Sequence, residues 1–256
     1  MTDQESPDRI SYQCNVCAGI NEFVEVTTLD RETGQCRHCH AQVRLRAIVH
    51  LISKAMFGQS MPVKYWPEDT GIKGIGISDW AGYQPFFEQK IDYINGQYHE
   101  EPRIDVRSPP EHLIGTADFV SCSDVFEHVD PPIELAFTGI HSLLKPGGWL
   151  IFSVPYSFEE TVEHFPDLYE WNIQNEANDY VLRNRTRDGH EQEFRNLIFH
   201  GGPGQVLEMR VFGYHDLIKL LQAVGFSDIA PMGNDVFEFG IRQSHPWSRP
   251  IAARKI

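Results

Sequence analysis

Two apolar runs in the middle of the chain carry the clearest pattern. Residues 117–120 form one, and it gives way to Ser121, Ser123 and Asp124. Residues 149–154 form the other, short and nearly all apolar, as strands buried on both faces are. Between them, residues 133–144 place apolar side chains at helical spacing and predict a crossover helix. Gly147 and Gly148 are expected to stop it, because glycine tolerates the left-handed conformation of a helix end. Strand, loop, helix, turn and strand predict a doubly wound α/β sheet, in which ligands bind at the carboxyl edge.

Elsewhere, residues 44–56 read as a helix with Leu45, Ile48, Val49 and Ile52 on one face, and residues 22–26 alternate like a strand. Residues 90–95 read as a further strand. Residues 211–226 read as loop, amphipathic helix and glycine stop, with His215 or Asp216 as a helix cap, and lead into a strand. Residues 157–210 are too long for a plain connection and are expected to cap the site. Within them, Arg183, Arg185 and Arg187 read as a solvated loop, with a local basic patch as the alternative. The segment His200-Gly-Gly-Pro-Gly204 lacks the Lys-Ser/Thr of a nucleotide-phosphate loop.

A formal net charge of −14 disfavours a nucleic-acid partner, whose affinity rests on Lys and Arg. No apolar run approaches the roughly 20 residues of a membrane span. Residues 1–9 are acidic and polar, unlike a secretory signal, so the cytoplasm is the expected location.

Four of the five cysteines change the picture. Cys14, Cys17, Cys36 and Cys39 form two C-x2-C pairs separated by eighteen residues, the spacing of a structural zinc site. A segment this small cannot build an adequate core, so a metal is expected to hold it together as a ribbon. A disulfide pair or a redox C-x-x-C is the alternative. His38 and His40 flank the second pair and are possible substitute ligands. Cys122 reads as a small core residue.

The stretch from Ser121 through Asp124, Glu127 and His128, with the later Leu-Lys-Pro-Gly-Gly at 144–148, resembles the latter half of class I S-adenosylmethionine-dependent methyltransferases, of the type 11 kind. That resemblance implies a Rossmann-like sheet of seven strands with an antiparallel final strand, taken here as residues 235–241. It divides the chain into a ribbon at 1–43, a linking helix at 44–62, a methyltransferase domain at 63–242 and a surface arm at 243–256. It places Gly74, Gly76, Ser78, Asp79 and Ser123 along the cofactor, Asn95 at the ribose in place of the usual acid, and Asp105 at the adenine. Glu100 is the alternative ribose group. The glycine loop is irregular, since Ser78 and Asp79 stand where further glycine belongs. His128, Asp124 and His164 are the candidate bases, although Glu127-His128 is often merely structural in relatives. Asp124, Glu127 and His128 also resemble an acid-x-x-Glu-His pattern that holds a divalent ion in some relatives, with His164 or His200 completing the set. The acceptor implied is a hydroxyl or amine of a small molecule or carbohydrate. The rival readings are an RNA methyltransferase gripping its substrate with the ribbon, and a non-catalytic binding scaffold. Nothing in the chain fixes an oligomeric state.

Overall fold

The computed structural model describes residues 8–176 and 179–256, so most of the acidic amino-terminal segment lies outside the described residues. The chain opens with a hairpin of β1 (Arg9–Gln13) and β2 (Ile20–Glu25), followed by α1 (Val43–Phe57). The central sheet then takes β3 (Lys73–Ile77), β4 (Asp92–Gly96), β5 (Ala117–Ser123) and β6 (Leu144–Ser153), with the short α2 (Gln84–Phe87) after β3 and α3 (Glu134–Leu143) between β5 and β6. Residues 156–213 add β7 (Tyr156–Ser157), β8 (Val162–Glu163), β9 (Glu170–Glu176), β10 (Asp179–Arg185), β11 (Glu191–Phe194), β12 (Phe199–His200), β13 (Val206–Leu207) and β14 (Arg210–Gly213). The chain closes with α4 (Tyr214–Val224), β15 (Phe226–Pro231) and β16 (Ile251–Lys255).

The sheet runs β15-β16-β6-β5-β3-β4, with β3 through β6 parallel and β16 antiparallel to both neighbours. It is covered on both faces, as a parallel sheet requires. Ile75, Ile77, Val120, Cys122, Leu150 and Phe152 pack under α3 and α4. Phe119, Ile151 and Tyr93 point to the opposite face, under α1 and the cysteine-bearing amino-terminal segment. Cys122 is fully buried among these apolar side chains.

Several expectations are corrected. The sheet has six strands among the described residues, not seven; beyond β4 a single bridge, Gln97 with Arg103, extends its edge. The antiparallel strand is 251–255 rather than 235–241, and the tail is no surface arm, since Ile251 and Ala253 are wholly buried. Residues 237–239 form a 3-10 turn ending at Gly240, whose φ of +64° breaks extended backbone. The crossover helix ends at Leu143, and the two glycines lie within β6 at an irregularity of its pairing with β5. Arg183 and Arg185 belong to β10, not a loop, and Arg183 is paired with Glu176 and Glu193, which leaves no basic patch. Asp216 does not cap α4; it accepts from the backbone of Thr161. No described helix is long and apolar enough to cross a membrane.

One glycine fixes how α3 seats. A β-carbon on Gly139 would lie 1.8 Å from the carbonyl oxygen of Val106. Backbone cannot retreat as a flexible side chain can, so Gly139→Ala is expected to cost about 3 kcal/mol. A urea melt should show the midpoint falling with an unchanged slope.

Candidate functional site

The carboxyl ends of β3 and β5 lie side by side, with Ile77 registered against Cys122. Beyond Ile77 the chain turns at Ser78, whose φ is +44°. Asp79 is only 5% exposed and is clasped by Asn95: its N–H donates to Asn95 Oδ1 at 3.1 Å, and Asn95 Nδ2 donates to its carbonyl at 2.8 Å. Asn95 is thereby committed to the turn, which accounts for an amide where the resemblance expects a ribose acid. Burial raises the Asp79 carboxyl to about 6.

Gly74 and Gly76 do not stand on this turn. They sit within β3, where a β-carbon on Gly74 would meet the Phe119 ring at 2.3 Å and one on Gly76 the Tyr93 hydroxyl at 2.2 Å. Their missing side chains are filled by aromatic packing, so only Ser78 and Asp79 of this group face the edge. Asp105 lies in the turn past the Gln97–Arg103 bridge, its carboxylate accepting from the backbone of Arg107 at 2.9 Å.

The cysteine-bearing amino-terminal segment and the start of α1 supply charge to the same edge. Arg31 Nη2 donates to both carboxylate oxygens of Asp124, at 2.6 and 2.8 Å. Arg44, at the start of α1, donates to Ser123 Oγ and to Glu32 at 3.0 Å, and its Nε lies 3.5 Å from Asp124. Ser153 Oγ donates a further bond to Asp124 at 2.9 Å. Asp124 accepts from Arg31 and Ser153 on this side, and the ligand atoms that gather past β5 belong to Glu127, His128 and His200 without it. Arg31, Glu32, Arg44 and Ser153 were not among the sequence candidates; the arginine-rich start of α1 was a signal for Arg44 alone. Four buried polar atoms on this side make no regular hydrogen bond: Arg31 Nε, Asp79 Oδ2, Tyr93 Oη and Ser121 Oγ, with Ser121 lying beside both Asp79 and Tyr93. Unpaired buried groups of this kind are costly unless a ligand or water satisfies them.

A second cluster lies past β5, on the 3-10 turn Phe126–His128. The wholly buried Arg210 holds that turn, donating to the carbonyls of Phe126 and Val129 at 2.7 Å each and to Glu163 at 2.6 Å. Glu127 is 1% exposed, and neither of its carboxylate oxygens has a partner. Burial, helped by the charge of Asp124, raises its carboxyl to about 8. His128 Nδ1 donates to the carbonyl of Leu207 at 2.8 Å, which leaves Nε2 bare. Burial lowers the His128 pKa. His164 and His200 both bond through Nε2 to one carboxylate, Glu208, at 2.8 and 2.9 Å. His200 meets His128 ring to ring at 4.7 Å, perpendicular.

The four ribbon cysteines converge as their spacing predicts. Their thiols are free, with Sγ separations of 3.7 Å for Cys14–Cys39 and 3.8 Å for Cys17–Cys36. A tetrahedron with Zn–S bonds near 2.3 Å has edges of about 3.8 Å, so this donor set fits such an ion without movement. The backbone N–H groups of Gly19 and His38 and the amide of Asn21 point at the sulfurs. His38 bonds to the carbonyl of Ile20 instead of joining them.

A family described as a methyltransferase domain matches residues 56–230, more than half of the chain. The ubiquinone biosynthesis O-methyltransferase of Burkholderia multivorans is 28% identical over 103 residues, a match spanning 40% of this chain and 39% of that protein. An amino pentose methyltransferase structure from Micromonospora echinaspora covers 84% of this chain and 92% of its own, at 14% identity and a TM-score of 0.47. A Burkholderia thailandensis 1,6-didemethyltoxoflavin-N1-methyltransferase structure covers 82% and 78%, at 17% identity and a TM-score of 0.46. Structural likenesses this distant say nothing about substrate.

Proposed function

The chain belongs to the methyltransferase-domain family; from that premise we propose that it is an S-adenosylmethionine-dependent methyltransferase acting on a hydroxyl or amine of a small molecule or carbohydrate. The observation that carries the reading is the pair of guanidinium groups of Arg31 and Arg44 held at the carboxyl end of β5, beside the turn of Ser78 and the buried Asp79. S-adenosylmethionine, when bound, supplies a methyl group already activated on a sulfonium. The chain's own work is then alignment more than activation. Arg31 and Arg44 present cationic donors to the cofactor's carboxylate. Asp124 and Ser123 position those arginines, and Ser78 with Asp79 forms the adjoining turn. Asp105 is the adenine-side group. His128 borders the acceptor, with an Nε2 lone pair free for a proton or a cation. His164 bonds to Glu208 and orders the strands beside it.

The O-methyl transfer in the name of the Burkholderia multivorans relative agrees with a hydroxyl acceptor. The acidic chain and the paired arginines of β10 weigh against an RNA substrate. Zinc is the ion assigned to the four thiolates, and free thiols of this kind suit a reducing compartment such as the cytoplasm.

Calorimetric titration with S-adenosylhomocysteine tests the cofactor edge. Micromolar binding is expected, weakened about 10–100-fold in Arg44→Ala, whose lost charge-assisted bond is worth about 1.5–3 kcal/mol. Absence of binding to the folded, zinc-replete protein would sink the assignment and favour a non-catalytic scaffold.

A further inference from the structure

We propose that Glu127, His128 and His200 form a second metal site, distinct from the ribbon, which takes a divalent transition cation of the zinc class. One ligand atom from each residue lies within 4.8 Å of the others. Small side-chain rotations bring such a set to the edge of about 3.4 Å that Zn–N and Zn–O bonds near 2.0–2.1 Å require.

Three independent features point to an ion rather than to packing. The first is the Glu127 carboxyl group, 1% exposed with both oxygens unpartnered. Evolution of a stable core would favour an apolar side chain there, since a buried polar group without a partner is costly. The second is His128, whose Nδ1–H is spent on the Leu207 carbonyl and whose Nε2 turns toward Glu127, 3.9 Å from Oε1. A ligating histidine is held in the same way, with its other nitrogen donating to a carbonyl or carboxylate. The third is His200. Its Nε2 bonds to Glu208, 8% exposed, which leaves Nδ1 for the cation. Glu208 bonds in turn to His164, so one buried carboxylate orients the ligand from β12 and is itself held from beyond β8.

Two imidazoles and one carboxylate suit zinc-class cations better than magnesium or calcium, which take oxygen donors. Three protein ligands also leave a position open, as in catalytic zinc sites. His200 is partly exposed, so that position is reachable from solvent. On the reading of methyl transfer proposed above, an acceptor hydroxyl fills it. Its oxygen binds the cation, its O–H bond breaks, and the proton passes to solvent while the electron pair stays on oxygen. His128 then uses its lone pair as a ligand. Cation binding itself does not depend on that reading.

The test counts metal in the full-length protein. Protein stripped with chelator and reloaded with Co(II) is expected to hold two ions per chain. One should show thiolate-to-cobalt charge transfer from the ribbon, and the other should not. His200→Ala and Glu127→Gln are each expected to hold one ion while keeping the charge-transfer band, which reports that the protein is folded. Glu208→Gln is expected to weaken the second ion about 10–100-fold. A single ion in the wild-type protein, or a second ion that survives both His200→Ala and Glu127→Gln, would overturn the site. S-adenosylhomocysteine titration of the same samples separates the readings: cofactor binding without a second ion refutes the metal site alone, and a second ion without cofactor binding refutes the cofactor edge alone.

Discussion

Protein stripped of the ribbon's ion is expected to lose S-adenosylhomocysteine affinity by about 100-fold or more. The ribbon's hairpin is only β1 and β2, five and six residues long, and its sulfurs are the centre of its structure. Structural zinc supplies roughly 10–16 kcal/mol in comparable peptides, more than a segment this small can replace by packing. Arg31 lies between the two cysteine pairs, and Arg44 follows the second pair by five residues. Arg31 is carried to the carboxyl edge by the cysteine-bearing segment itself, and Arg44 by the first turn of α1, which follows directly from that segment. Two charge-assisted bonds at about 1.5–3 kcal/mol each make the expected loss about 3–6 kcal/mol. Calorimetry on Cys36→Ser and on chelator-treated protein measures it, with far-UV circular dichroism verifying that the main sheet persists. Unchanged affinity in protein whose ribbon has become protease-sensitive would show that the arginines take no part in cofactor binding.

What could be read from sequence divides along physical lines. The cysteine spacing, the parallel strands at 117–120 and 149–154 and the helix at 44–56 were legible because each rests on local pattern. The edge strand 251–255 was not. Only Ile251, Ala252 and Ala253 are apolar in it, and its antiparallel place between β6 and β15 is decided by long-range pairing. Residues 235–241 looked the better strand by composition, but Gly240 at positive φ folds them into a turn against the ribbon. The site behaves in the same way. Glu127 and His128 stood out as neighbours in sequence, whereas Arg31, Ser153 and Glu208 reach it from separate segments. A lone arginine or glutamate carries no local signature of the partner it will meet. Asp124 is the instructive case: it was legible as a functional carboxylate, yet its role turned on two arginines some 80 or more residues away.

Arg46→Met is expected to destabilise the protein by about 3–5 kcal/mol, because three buried carbonyls would lose their donor. Arg46 is wholly buried, and its donors are spent on backbone carbonyls of two distant segments: Ala41 at the end of the ribbon, and Phe239 and Gly240 in the turn before the last strand, at 3.0 and 2.7 Å for the latter pair. Its guanidinium also lies 4.9 Å from the centroid of the Tyr12 ring on β1. Methionine would fill much of the volume but leave those carbonyls desolvated and unpaired, and each such group costs about 1–3 kcal/mol. The loss should fall first on the seam between ribbon and sheet. Hydrogen exchange is therefore expected to rise in α1 and residues 237–241 before it rises in β5 and β6. Equal exchange throughout, with a small drop in the urea midpoint, would mean that Arg46 fills space without tying the segments together. If the seam does loosen, cofactor affinity should fall with it even though Arg46 touches no part of the edge, because Arg44 stands on the same turn of α1 and shares its anchorage.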